Sequence, residues 1–376
     1  MNTNRQKQSL QWLGLACRIL FGATFIFSGF VKAIDPLGFS YKMQDYLEAW
    51  NLTQFNDLTL FGAVCMSAVE FLIGCCVLFG LQLKLAAWGG LAFMAFYTPL
   101  TLWIALTNPV SDCGCFGEAI IITNWQTFWK NLALLALVIG ILLTTKYNRC
   151  RLSPLPTWLL VFTCFAISVA ISCFCLKYLP IIDFRPYKIG ANIAENMTIP
   201  EGAPQDKYEV TFTYEKNGVE QQFTLADYPW QDTTWHFVDQ QSVLLEKGYT
   251  PPIHDFSVTT MDDDDITDEV LTYTGDTYLV VMYDLEKTDT THLADIIELC
   301  QRATAANAHV YALTATYKDD ALRFAEQHRW PFPVCSTDPI QLKTMVRANP
   351  GIVVLRNGTV IDKFSHNSVQ KRLQQQ

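Results

Sequence analysis

Two cysteines separated by one glycine, Cys113 and Cys115, stand in the stretch "NPVSDCGCFGEAI" between two long apolar runs. Side chains so spaced are close enough to form a disulfide, in a small and strained ring, and Gly114 supplies the backbone freedom that ring needs. Strain raises a disulfide's reduction potential and makes it labile, which suits exchange more than bracing. Two other readings stand beside exchange. One is a structural disulfide or a pair of packed thiols. The other is a metal site, but two thiolates are only half of a tetrahedral zinc set and the loop offers no His.

A second pair has the same spacing. "SCFCLKYLP" carries Cys173 and Cys175 at the end of another apolar run. In a helix, residues two apart point about 200° from each other, so these two cannot bridge one another. One of them is a candidate relay to Cys113 or Cys115; the plainer reading is two small apolar residues in a helix. Ten of the twelve cysteines precede residue 180. Free Cys is common in packed helices, so most need no chemical role; Cys65 falls in the outer part of the second apolar run, whereas Cys17, Cys75, Cys76 and Cys150 lie toward the cytoplasm and are poor partners for an outer-face reaction. Charges inside apolar runs are costly, which singles out Arg18 and Glu70. Their depths suit a buried ion pair; the alternative is a proton relay or quinone contact at Glu70. The acidic run Asp262–Asp265 lacks the ligand spacing of a calcium loop and reads as a solvated turn.

The elements that position these residues follow from hydropathy. Spanning a bilayer takes about 20 apolar residues in a helix, and five segments qualify: Leu10–Val31, Leu58–Phe79, Leu85–Leu106, Phe128–Leu143 and Trp158–Lys177. The first has a basic start without a small-residue cleavage site, so it reads as an anchor. With the N-terminus in the cytoplasm, the inner face holds Arg5, Lys7, Lys84, Lys146, Arg149 and Arg151, and the outer loop from Thr107 to Phe128 holds neither Lys nor Arg. Five crossings then place residues 180–376 outside, in the periplasm of a Gram-negative bacterium, with the Cys-Gly-Cys loop on the same oxidising side. Between the first two spans, "DPLGFSYKMQDYLEAWNL" interleaves aromatic and charged residues and reads as an interfacial helix on the outer surface, in contact with membrane lipid.

Charge divides the chain the same way. Residues 1–179 carry a net charge of +4 and residues 180–376 a net charge of −13. That acidity excludes nucleic acid as a partner. In the soluble half, "YEVTFTYEKNGVEQQFTL" is a hairpin turning at Asn-Gly. From about Ile253 the pattern gives a short strand at "HDFSV", a buried strand at Thr277–Leu285, an amphipathic helix at Thr291–Ala308, a further strand and helix, and a hairpin "GIVVLRNGTVIDKFS". This order of strands and helices makes an α/β domain with a mixed sheet.

The end of this domain, "ANPGIVVLRNGTVIDKF", resembles the thioredoxin superfamily, whose members place a cis-proline before such a strand. The resemblance makes Asn349 and Pro350 the partner-binding loop. The Cys-x-x-Cys of the family's redox members is missing: its place reads "YDLEKTDT", and the domain's own Cys300 and Cys335 read as packing. The membrane half resembles the MauE/DoxX family through "FIFSGFVKAIDPLGF", "AVEFLIGCCVLFG" and "DCGCFG", over roughly residues 10–145. MauE serves maturation of an exported, disulfide-rich dehydrogenase, and DoxX-type subunits serve quinone-linked sulfur oxidation. The resemblance implies a four-helix membrane domain over residues 1–150, a fifth transmembrane helix over 151–180, a hairpin-containing linker over 181–250 and a thioredoxin-like domain over 251–376. It implies a thiol–disulfide component of the bacterial inner membrane that supports maturation of exported envelope proteins, with Cys113 and Cys115 exchanging with exported protein thiols or a thiol-redox partner. No metal is expected, and quinone is the one cofactor it suggests. The alternatives are a non-catalytic scaffold or accessory subunit, and a quinone-linked oxidoreductase subunit.

Overall fold

The computed structural model describes residues 2–375 apart from 111, 148–152, 231, 247 and 255; Arg149, Cys150 and Arg151 lie outside the described residues. Six helices form the first half: α1 (Asn2–Ile34), α2 (Pro36–Ala49), α3 (Thr59–Phe79), α4 (Leu83–Thr107), α5 (Asn124–Thr144) and α6 (Pro154–Lys177). All but α2 are long and apolar enough to cross a membrane, giving the five expected spans. Lipid supplies no hydrophobic drive between helices, so close packing must hold them together. A Cβ at Gly29 of α1 would stand 2.5 Å from the Phe71 nitrogen, and one at Gly74 of α3 would stand 2.6 Å from the Ile26 nitrogen. These glycines let α1 and α3 touch backbone to backbone. Asn131 of α5 donates to the Thr101 hydroxyl of α4 at 3.2 Å, both buried, and ties a second helix pair.

The segment expected as an interfacial helix folds as α2. Asp35 caps its start by accepting from the Gly38 N–H, and Pro36 opens it. It lies across α3 and covers the loop between α4 and α5.

After α6 the chain forms α7 (Ile193–Met197), then β1 (Lys207–Lys216), β2 (Val219–Thr224) and β3 (His236–Glu246). These strands make an antiparallel sheet in the order β2-β1-β3. The β1–β2 hairpin turns at Asn217 and Gly218, both with positive φ, as its Asn-Gly sequence requires. The third strand is not visible in the sequence pattern: "HFVDQQSVLLE" does not alternate, and its pairing with β1 is irregular at Thr213/Tyr214.

The last unit contains β4 (Thr259–Thr260), α8 (Thr267–Thr272), β5 (Asp276–Val281), α9 (Leu293–Ala305), β6 (His309–Thr314), α10 (Lys318–His328), β7 (Val334–Ser336), α11 (Pro339–Met345), β8 (Gly351–Arg356), β9 (Thr359–Ser365) and α12 (Val369–Leu373). Its sheet runs β4-β7-β6-β5-β8-β9, parallel from β7 to β5 and antiparallel from β5 to β9. Side chains of β5 alternate between two cores: Leu279 and Val281 join Tyr187, Ile193 and Met345 on one face, while Val280, with Met282 just after the strand, joins Ile296 and Leu299 on the other. Both faces are therefore covered, and the central strands read as unbroken apolar runs. Cys300 and Cys335 are buried in these cores. The expected strand at His254–Val258 is absent among the described residues; 255 lies outside them, and pairing starts only at Thr259, because β7 offers just Cys335 and Ser336 as partners. The acidic run closes a tight turn in which Asp262 pairs with Lys318 at 3.0 Å. No group of metal-ligating side chains exists there or elsewhere among the described residues.

This unit is clamped onto the membrane half. The Ser365 hydroxyl and the Asn367 amide both donate to the Lys177 carbonyl, capping α6. Asp183, just beyond α6, holds Arg185 at 2.7 Å and Lys363 of β9 at 2.6 Å. Arg347, after α11, reaches both oxygens of Asp35 at 2.9 and 3.0 Å and lies 5.4 Å from the centre of the Tyr41 ring. Removing one partner of a buried ion pair costs about 3–5 kcal/mol. Arg347→Met is therefore expected to lower the thermal stability of the detergent-solubilised protein, and Asp35→Asn in the same chain to restore part of the loss. A double-mutant cycle with no coupling between the two positions would contradict this clamp.

Candidate redox site

The Cys-Gly-Cys segment lies in the loop joining α4 to α5, on the inner side of α2. Three contacts fix its backbone. Tyr46 of α2 donates its hydroxyl to the Cys113 carbonyl at 2.8 Å, and Ser28 of α1 donates to the Cys115 carbonyl at 2.6 Å. Asp112 accepts from the Gly114 N–H at 2.8 Å and is itself held by Lys42 of α2 at 2.9 Å. Gly114 has φ +68°, and a Cβ there would stand 3.0 Å from the Lys42 stem. Only glycine turns the chain this way beneath that side chain.

The turn brings the two sulfurs to 2.9 Å, within about 1 Å of the length of a disulfide bond. The hydrogen bond from the Cys113 thiol, with the Lys130 and Lys32 ammonium groups behind it, holds the Cys115 thiol down to about 6 against the opposing effect of burial. The same hydrogen bond and burial raise Cys113 well above its ordinary value. The pair is therefore asymmetric. Cys115 is partly exposed and its thiol is held low; Cys113 is buried and its thiol is held high. Lys130 also lies 4.2 Å from the centre of the Phe116 ring, which orients it next to the loop.

Beneath the loop is a buried ion pair that the sequence suggests with the wrong partner. Glu70 does not pair with Arg18. It binds Lys32 at 2.7 Å, and Lys32 donates also to Ser28 at 3.0 Å. Glu70, Lys32, Ser28 and the Cys115 carbonyl thus form one chain of polar contacts linking α3, α1 and the loop. Arg18 lies at the other end of the bundle, where it donates to the Val77 and Leu78 carbonyls at 2.9 Å each. It satisfies carbonyls that the end of α3 leaves without helical partners. The pairing fails for a geometric reason: Gly29 and Gly74 set the stagger of α1 on α3, and that stagger puts Lys32, not Arg18, level with Glu70.

Three cavities meet around Lys32. A cleft of about 40 Å³ lies at Gly114, with Asp112, Lys42 and Arg185 among otherwise largely apolar walls. A small void of about 30 Å³ lies between Glu70, Tyr97, Lys130 and Cys115. An apolar cavity of about 160 Å³, under α2, is lined by both cysteines. Gly114 lines the cleft and neither cysteine does, whereas both cysteines line the apolar cavity.

The other expected site residues do not converge here. Cys173 is exposed on α6, while Cys175 is buried near the Ile181 backbone; neither lines these cavities. Asn349 and Pro350 are joined by a cis peptide bond, as expected. Within their loop the Asn349 amide donates to the Asp284 carbonyl at 2.7 Å and its side-chain oxygen accepts from Thr288 at 3.1 Å. This ties it to the Tyr283–Thr290 segment, whose Tyr283 meets Tyr41 of α2 with hydroxyls 3.5 Å apart. Lys32, Ser28, Lys42, Tyr46 and Lys130 were not singled out by sequence. The one available signal was Lys32, four residues after Ser28 at the end of an apolar run that faces a buried Glu.

In the reduced protein, the alkylation rate of Cys115 by iodoacetamide is expected to rise with pH through a midpoint near 6. Cys113→Ala removes the hydrogen-bond donor and Lys130→Met removes a cation, so each moves that midpoint upward. An unchanged midpoint in both variants would contradict the assignment.

Residues 10–144 match the family described as Methylamine utilisation protein MauE. Residues 208–247, which carry the three-stranded sheet, match a Domain of unknown function (DUF8463). No curated protein matches the chain.

Proposed function

Starting from a membrane half of the MauE family, we propose that this protein is a thiol–disulfide exchange component of the bacterial inner membrane that supports maturation of exported envelope proteins. The observation that carries the reading is the asymmetric sulfur pair, 2.9 Å apart on a turn locked by α1 and α2. In its oxidised form the pair accepts a partner thiolate at the Cys115 sulfur. The Cys113–Cys115 bond breaks, Cys113 leaves and takes a proton, and a mixed disulfide joins Cys115 to the partner. A second partner thiolate then attacks the partner's sulfur and expels Cys115 as a thiolate. The partner loses two electrons and two protons and gains a disulfide; the pair is left reduced. A low leaving-group pKa speeds that second step and favours the reduced pair, which makes its disulfide an oxidant.

Partner access from the soluble side runs through the cleft at Gly114. It requires the loop to release Lys42 and Tyr46, because neither cysteine lines that cleft. The sheet order and the β8–β9 hairpin support reading residues 251–376 as a thioredoxin-like domain without the Cys-x-x-Cys pair, which docks on α2 beside the cleft. The charge bias supports a cytoplasmic N-terminus and a periplasmic C-terminal domain.

Thiol trapping in cells tests this. Cys113→Ser is expected to accumulate mixed disulfides between Cys115 and exported proteins, and Cys115→Ser is expected to accumulate none. If the pair stays in one redox state under all growth conditions and both variants support maturation normally, the loop is a structural staple and the exchange reading fails. For topology, Tyr317 is 86% exposed, so a Tyr317→Cys variant should react with an impermeant maleimide added to intact spheroplasts. Labelling only after lysis would reverse the orientation.

A further inference from the structure

Exchange with a partner leaves the pair reduced, so turnover needs an acceptor for two electrons. The two sulfurs differ in what surrounds them. Both cysteines line the apolar cavity under α2, but only Cys115 also lines the small void between α1, α3, α4 and α5. That void measures about 30 Å³. One water needs about 10–15 Å³ of such space, so it holds about two non-hydrogen atoms. Its lining is rich in charge for a site among membrane helices: Lys32, Glu70, Tyr97 and Lys130 all border it. Lys32 and Glu70 are only 4% and 7% exposed. Glu70 at 2.7 Å and Ser28 at 3.0 Å hold the Lys32 ammonium in place. The Lys130 ammonium lies 4.2 Å from the centre of the ring of Phe116, the neighbour of Cys115. Behind the hydrogen bond from Cys113, both cations help hold the Cys115 thiol low.

We infer that this void admits hydrogen peroxide, that Cys115 reduces it with Cys113 as the resolving thiol, and that the pair is reoxidised in this way. The inference rests on the exchange reading above and adds its second substrate. Size and polarity set the class. A space for about two atoms, bordered by two cations, a hydroxyl and a carboxylate, suits a molecule that donates and accepts hydrogen bonds through both of its oxygens. An alkyl hydroperoxide carries an apolar chain that this void has no room for, and a soluble disulfide is larger still. The Cys115 sulfur attacks one peroxide oxygen; an S–O bond forms and the O–O bond breaks. The departing oxygen leaves as hydroxide, and the Lys32 and Lys130 charges stabilise it as it develops. It becomes water by taking up the proton that Cys115 lost on ionising. Cys115 is left as a sulfenic acid. Cys113, its sulfur 2.9 Å away, then attacks the Cys115 sulfur. The S–S bond closes, the S–O bond breaks, and the second oxygen leaves as water with the Cys113 proton. The two thiols lose two electrons and two protons, and the peroxide becomes two waters.

The test uses the full chain, reduced and anaerobic, in nanodiscs of neutral lipid, with hydrogen peroxide as the probe. The rate of Cys113–Cys115 oxidation is followed by maleimide trapping. It is divided by the rate at which iodoacetamide alkylates Cys115 in the same variant, both above the Cys115 midpoint. That ratio cancels changes in thiol ionisation and in access to the loop. It is expected to exceed the ratio for free N-acetylcysteine, above its own midpoint, by about a hundredfold, the effect of one well-placed stabilising group. In Cys113→Ser, dimedone is expected to trap a sulfenic acid at Cys115. Thr24 borders the void, so Thr24→Leu fills it, and Lys130→Met removes a cation; each is expected to lower the ratio by about tenfold or more. Diamide, a soluble thiol oxidant, separates the two readings. If diamide closes the pair but peroxide reacts no faster than with the free thiol, this inference is overturned and the exchange reading stands. If diamide fails as well, both are overturned. If both variants keep the ratio of the parent, or cumene hydroperoxide reacts as fast as hydrogen peroxide, the oxidant does not enter this void and the assignment is wrong.

Discussion

The buried bond between Lys32 and Glu70 constrains the membrane half more than any other contact. A carboxylate in the middle of an apolar helix is tolerable only with a partner at hydrogen-bond distance, and its loss would leave an uncompensated charge. Satisfying it fixes the level of α1 against α3, and the glycines that let those helices touch make the distance attainable. Because Lys32 also donates to Ser28, and Ser28 to the Cys115 carbonyl, one electrostatic requirement propagates to the turn that carries the sulfurs. The same ammonium helps keep Cys115 ionised. Helix packing and the seating of the Cys-Gly-Cys turn thus share one cation.

The soluble half depends on the membrane half through α2. This helix is short and amphipathic, and it has too few internal contacts to hold a fixed position alone. It is clamped from both sides. Arg347 and Tyr283 hold its outer face, while Lys42 and Tyr46 on its inner face hold the Cys-Gly-Cys turn. The carbonyl of Lys177, capped by Ser365 and Asn367, fixes where the α/β unit sits relative to the bundle. A unit with no thiol at the Tyr283–Thr290 loop is therefore still structurally joined to the thiols of the other half.

Much of this was legible in the residues. Five membrane spans are set by length and hydropathy, which need no tertiary information. Both hairpins turn at Asn-Gly, where a positive φ at two consecutive positions leaves few other sequences possible. The Cys-Gly-Cys pair announced itself by spacing, and the glycine between the cysteines does adopt the left-handed conformation. What was not legible depends on contacts distant in sequence. Glu70 could be seen to need a cation, but choosing Lys32 over Arg18 requires the helix stagger. The third strand of the small sheet lacks alternation and exists because β1 offers it an edge. Asn349 reads as a binding residue by its place beside a proline, while its bonds to Asp284 and Thr288 join segments about 60 residues apart and leave no local pattern.

The position of Arg347 carries one more consequence. It stands two residues before Asn349 and grips α2 at Asp35 and Tyr41; Tyr41 is the immediate neighbour of Lys42, and Lys42 steadies Asp112 next to Cys113. The contacts that seat the α/β unit on the membrane half and the contacts that cover the Cys-Gly-Cys turn therefore converge on one helix of 14 residues.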